Sequence, residues 1–312
     1  MASRNYMTMK PSAVIPIAQR LRMTAESDSR LSLDDAFKRH CEDHHSAVES
    51  VAAYFGEKVS QSLHSKGYRG KDVKEKSAME LACKLEVYEK ICSSKVNPEL
   101  LLNHMRSKLH DAEALYHFRR AYAGHLASNS LLQHVFAVVP RNPSRVAFHE
   151  RNGHVLSPEF RFSYNNQGFL ENQKVPFRMT PNLRELLGTV MLQGRFLPGM
   201  TTVATAVKTS MEDIDASLRL LLRDDLVAWY TSKSMAKSDG KTQELEKQLS
   251  DRVTKNVLQI QSKFGECSIR KEVAKDKSLS SVPVDQKVRD LLHEASGNET
   301  LCMMPPTFHP WL

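Results

Sequence analysis

A mainly α-helical fold with one small β-hairpin is what the sequence predicts. Three observations predict it. Only 12 glycines and 13 prolines occur among 312 residues, while the helix formers Leu, Ala, Glu, Lys and Met are plentiful. Several long runs carry apolar residues at helical spacing. One short stretch alone, around Arg151-Asn152-Gly153, places two β-prone pieces on either side of a turn. A hydrophobic fraction of 41% is enough to pack a core in one large domain or two smaller ones.

Residues 1–30 are proline-punctuated and read as irregular. Ser32-Leu33-Asp34-Asp35 is a capping-box-like helix start with acids in the first turn. It opens a polar helical segment over 33–65, with Phe37, Val48, Val51 and Phe55 as candidate core. Lys66-Gly67-Tyr68-Arg69-Gly70-Lys71 breaks it, and a second helix is expected over about 74–91. Asn97-Pro98-Glu99 supplies an N-cap, a proline at the first helical position and an acid in the first turn. Asp111 can cap the next helix, which carries Leu115, Phe118, Tyr122, Leu126 and Leu131 and reads as the central core helix. Arg145–Phe148 and His154–Leu156 form the predicted hairpin. Thr180-Pro181 starts a helix through Val190. Ser210-Met211-Glu212-Asp213 starts another, with Leu218, Leu221, Leu222, Leu226 and Trp229 on its apolar side.

Residues 231–282 hold 11 Lys/Arg against 7 Asp/Glu, with many serines. Within them Leu245, Leu249, Val253, Val257 and Ile260 mark one amphipathic helix, expected to pack back on the body. A last unit runs from 282 to 312. It has a short helix carrying Val288, Leu291 and Leu292 and an apolar aromatic end. The formal charge of +8 is spread along the chain with no polybasic arm, so neither nucleic acid nor a membrane is expected as a direct partner. The five cysteines lack CxxC pairs, which excludes a zinc ribbon and a disulfide framework.

Two stretches are specific. Val175-Pro176-Phe177-Arg178-Met179-Thr180-Pro181-Asn182 resembles the segment that follows the activation segment in phosphoinositide-3-kinase-like kinases. Val288-Arg289-Asp290-Leu291-Leu292 through Ala295, Asn298, Leu301 and Met303 to His309-Pro310-Trp311-Leu312 resembles the FATC tail that closes those kinases. The His-Pro-Trp-Leu close is similar to the TRRAP (transformation/transcription-domain-associated protein) branch of that family. The resemblance implies a hinge-like segment over 1–30, a kinase C-lobe over 31–230, a linker over 231–281 and a FATC domain over 282–312. It also implies that a kinase N-lobe and a long helical region precede this part.

Kinase chemistry needs an Asp near the acceptor hydroxyl, and an Asn and a second Asp to hold magnesium. Laying the family's catalytic loop on 139–146 puts Pro140 at the first Asp and Arg145 at the Asn. The second Asp falls on Glu159. Proline has no proton-accepting side chain, and an obligate cation repels Mg²⁺. Glu159 keeps a carboxylate one methylene too long for a strict octahedral site. No register slip rescues the loop, because no Asp occurs between Leu131 and Phe169.

The resemblance therefore implies a pseudokinase scaffold without a catalytic site, cofactor or metal. It implies a subunit of nuclear histone acetyltransferase complexes of the SAGA and nucleosomal H4 acetyltransferase types, reached by transcription activators through the full-length protein. The alternatives are an active Ser/Thr kinase with divergent loops and a nucleic-acid or membrane-surface binding module. His40 and His44 lie four apart as on a zinc-binding helix face, but a third ligand is missing, and a polar helix face accounts for them. Arg178 is expected to make an ion pair or to bond backbone carbonyls beside the activation segment. Phe308, Trp311 and Leu312 are expected to bury against the lobe.

Overall fold

The computed structural model describes residues 13–18, 21–25, 29–43, 45, 48–66, 73–138, 142–156, 162–171, 173–234, 242–265, 267–268 and 282–312. Where residues 1–30 read as irregular, a two-stranded antiparallel hairpin forms. It consists of β1 (Val14–Ala18) and β2 (Leu21–Thr24), pairing Ile15 with Met23. Its apolar side chains Ile15, Ile17, Leu21 and Met23 are all more than half exposed. The predicted hairpin gains a third strand that no local pattern announces. β3 (Arg30–Ser32) pairs with the edge of the later hairpin and leads directly into α1 (Leu33–Asp43).

The capping box at that junction is real. Ser32 Oγ donates to Asp35 Oδ2 at 2.6 Å, and the Asp35 amide donates back to Ser32 Oγ at 3.1 Å. Burial pushes the Asp35 carboxyl up, but the Ser32 bonds, with Arg30 and Lys38, outweigh it and hold the group below its ordinary value. Ser32→Ala is expected to destabilise the chain by about 1 kcal/mol in urea unfolding.

The helix expected over 33–65 is two helices. α1 ends at Asp43, His45 takes a left-handed φ of 51°, and α2 runs Val48–Ser65. Phe37 and Phe55 are buried, and Val51 is half-buried. α3 (Val73–Ser94) is longer than expected at both ends. At α4 (Leu100–Lys108) the start slips. Asn97 Oδ1 accepts from the Glu99 amide at 2.8 Å, forming a turn ahead of the helix instead of capping it. Asp111 does cap α5 (Ala112–Val135), accepting from the Ala114 amide at 3.3 Å.

α5 is the core helix, with Phe118, Tyr122, Leu126 and Leu131 buried. Phe118 and Tyr122 pack edge-on against Phe148 of β4 (Ala147–His149). β5 (Val155–Leu156) completes the three-stranded sheet in the order β3-β4-β5. Its turn comes so close to α5 that a Cβ on Gly153 (φ +70°) would lie 2.5 Å from the Phe118 carbonyl, so only glycine fits.

α6 (Pro181–Met191) starts at Thr180, as read from the sequence, but does not stop the helical path. The chain kinks at Gly188 (φ +68°), where Arg119 donates to the Leu186 and Glu185 carbonyls at 2.5 and 3.0 Å. A π-helical turn (Leu192–Phe196) and α7 (Leu197–Thr209) follow. The sequence there, Gly194-Arg195-Phe196-Leu197-Pro198-Gly199, looks like a break. Pro198 instead sits at the second residue of α7, directly after the π turn, and the chain stays helical through it.

α8 (Met211–Ser234) buries Leu218, Leu222 and Leu226, whereas Leu221, expected on the apolar side, is 45% exposed. α9 (Thr242–Gly265) packs along α8 through Leu249, Val253, Val257 and Ile260. A short parallel pair, β6 (Cys267–Ser268) and β7 (Val282–Pro283), precedes α10 (Val284–Ser296) and α11 (Asn298–Leu301). α10 lays Val284, Val288, Leu291 and Ala295 onto α7. The last turn returns to the body beside α2.

Candidate functional site: the kinase-like loops and the docked tail

Of the three positions onto which the sequence comparison laid the catalytic loop, Pro140 and Glu159 lie outside the described residues. Arg145 is exposed on a tight turn. The Arg145 and Val146 amides both donate to the Asn142 carbonyl, at 2.9 and 3.3 Å, and the Ser144 amide donates to Asn142 Oδ1 at 3.1 Å. Two bonds tie this turn to the β3–α1 junction. Arg30 Nη2 donates to the Ser144 carbonyl at 2.9 Å, and the Leu33 amide donates to Val146 at 3.0 Å.

Glu150, the other acid of this region, is already engaged. Its Oε1 lies 3.3 Å from His104 Nε2 and 3.4 Å from Arg39 Nη1. Among the described residues no group of three or more His, Cys, Asp or Glu could hold a metal ion. His40 is half-buried on α1, and His44 lies outside the described residues.

The loop that follows is a small hairpin over 162–171, with Tyr164 bridging Leu170. It is read by a helix more than 80 residues away. Asn256 of α9, fully buried, accepts from the Leu170 amide at 3.0 Å and donates to the Gly168 carbonyl at 3.1 Å. Gln259 donates to the Leu170 carbonyl at 3.2 Å. Both polar groups of Leu170 and one of Gly168 are thus satisfied by helix side chains, where a neighbouring strand would otherwise serve. Asn256 stands in the register of the apolar stripe, between Val253 and Val257. A polar residue at a core-facing position was the sequence signal for this contact. Asn256→Leu is expected to cost about 2 kcal/mol by stranding two main-chain groups, and to raise hydrogen exchange selectively over 162–171.

Arg178 organises the docking of the tail. It is 3% exposed, and its guanidinium reads the tail directly. Nη1 donates to the Phe308 carbonyl at 2.6 Å. Nη2 donates to the His309 and Leu312 carbonyls at 2.7 and 2.8 Å. Tyr88 Oη donates to the Pro310 carbonyl at 3.3 Å, and Asn182 Nδ2 to the Trp311 carbonyl at 3.2 Å. Five consecutive carbonyls, 308 to 312, are therefore each held by a side chain of the body. Burial pushes the Tyr88 phenol up, which keeps it a neutral donor.

Asn182 also spans to α4, accepting from the Leu101 amide at 3.1 Å and donating to Asn97 O at 3.2 Å. One amide thus ties the α4 entry, the start of α6 and the tail together. Trp311 and Leu312 are 1% and 0% exposed, with Trp311 against Phe55 of α2, while Phe308 is half-buried. The sequence pointed to Arg178, Phe308, Trp311 and Leu312. It did not point to Tyr88 or to the role of Asn182, because their partners lie 222 and 129 residues away.

This geometry is a structural cradle next to loops with kinase topology. The sequence profile of phosphatidylinositol 3- and 4-kinases matches residues 1–231. The chain belongs to that family. Within it, the chain is 24% identical over 307 residues to the human "Transformation/transcription domain-associated protein", across 96% of its own length. It is 23% identical over 308 residues to the "SAGA complex/NuA4 acetyltransferase complex subunit Tra1" of Schizosaccharomyces pombe, again across 96%. It spans only 7% and 8% of those two proteins. Its fold is similar to the solved "FAT and kinase domain of CtTel1", with a TM-score of 0.63 at 13% identity, over 96% of this chain and 18% of that one. The family's kinase-like fold thus accounts for the loop order.

Proposed function

We propose that this chain is the kinase-like part of a non-catalytic scaffold subunit of nuclear histone acetyltransferase complexes of the SAGA and nucleosomal H4 acetyltransferase types. The observation that carries it is the match, over nearly the whole chain, to human and fission-yeast relatives whose names place them in transcription and in those complexes. Two features support the non-catalytic half. Pro140 and Arg145 stand where a proton-accepting Asp and a metal-binding Asn are needed, and no Asp occurs between Leu131 and Phe169. What this part would supply is a rigid body whose tail, VPFR segment and α3 are pinned to one another, a surface for neighbouring subunits. Transcription activators would reach the complex through the rest of the full-length protein.

The test is purification of the full-length protein through an N-terminal tag, with mass spectrometry of what accompanies it. Recovery of acetyltransferase subunits, with acetylation of histones by the eluate, is the expected result. A full-length protein that elutes with no acetyltransferase subunit would sink the proposal.

A further inference from the structure

His309 sits at the centre of the docked tail in a half-buried setting that favours its neutral form. It adopts a left-handed backbone (φ 47°), and its own carbonyl is held by Arg178. Its ring packs 5.3 Å from the Phe37 ring of α1 and edge-on to Trp311 at 5.8 Å. Its Nδ1 is buried and has no hydrogen-bond partner among the described residues. A bare ring nitrogen can be buried at modest cost. Once protonated, the same atom becomes a charged donor without an acceptor.

The charged groups that act on the ring are Arg178 from the segment before α6, and Asp34 and Lys38 from α1. Asp34 is the one anion of the three, and it is already paired to Lys38 at 2.8 Å. A second cation here would face the guanidinium that holds the tail.

The geometry points to a proton-operated latch: protonation of His309 weakens the docking of the 306–312 tail in the cradle formed by Arg178, Tyr88 and Asn182. Burial, then the Arg178 charge, hold the His309 imidazole below its ordinary value of 6.5, in keeping with that shell. The sign follows. The released tail binds a proton more readily than the docked one, so docking is complete above pH 6.5. It weakens as pH falls below 6.5, and the loss levels off once the docked form also protonates. A single proton limits the effect to about tenfold in the docked-to-released ratio per pH unit.

The experiment is hydrogen exchange of the Phe308, His309, Trp311 and Leu312 amides in the whole chain between pH 8 and pH 5, corrected with the same peptide free in solution. The wild type is expected to lose protection below pH 6.5 by up to about tenfold per unit, and His309→Gln to show no such dependence. Equal pH dependence in the glutamine variant overturns the latch. A ring titration by NMR in the wild type decides independently of whether the variant folds. A His309 midpoint below 6.5 supports the latch, and one at or above 6.5 overturns it.

Discussion

Replacing Arg178 by methionine is expected to destabilise the chain by about 4 kcal/mol, read as a lower urea midpoint, and to free the tail before the rest unfolds. The side chain is buried, so methionine fills its volume without supplying a donor. Three carbonyls, those of Phe308, His309 and Leu312, then lose their partner, the last in a fully buried contact and the other two in partly buried ones. A stranded buried carbonyl costs about 1–3 kcal/mol, and charge-assisted bonds sit at the upper end of what a hydrogen bond contributes. Arg178→Lys should recover less than half of the loss. An ammonium can approach one or two of these oxygens, but it cannot reproduce a planar fork that reaches three. If lysine restores full stability, the fork geometry is irrelevant and the cradle is a simple charge effect.

The second large effect is expected from Trp311→Ala, at about 3–5 kcal/mol. The indole is among the largest fully buried side chains in the molecule and packs between Phe55 and His309. Its removal opens a cavity between α2 and the tail that the main chain, held at five successive carbonyls, cannot collapse to fill. Because Trp311 and Arg178 share the same tail, their effects should not add. A double variant losing clearly less than the two single losses together is the expected outcome of a double-mutant cycle. Strict additivity would mean that the two residues hold independent structures.

What the sequence made legible follows from how local each signal is. The Ser32/Asp35 box, the Asp111 cap and the Leu218–Leu222–Leu226 stripe are written within a few residues, and the structure has them. The breaks in the helical path were harder to read. The helix expected to end at Val190 instead continues through a π turn into α7, past Gly194, Pro198 and Gly199. β3 has three residues and no pattern of its own, and it exists because β4 offers it an edge. At the site, the motif around Arg178 announced importance but not partners. The donors that meet the tail come from α3 and from the start of α6, and only the fold brings them there. Asn256 interrupts the apolar register of α9, a local signal, but the hairpin it satisfies lies more than 80 residues away and leaves no local trace.

On the proposed reading this kinase-like body holds structure and transfers no phosphate. The most direct measurement is γ-phosphate transfer from labelled ATP by the purified full-length protein, alongside its Glu159→Ala variant. No transfer above background is expected from either. Transfer by the wild type that Glu159→Ala abolishes would contradict that reading.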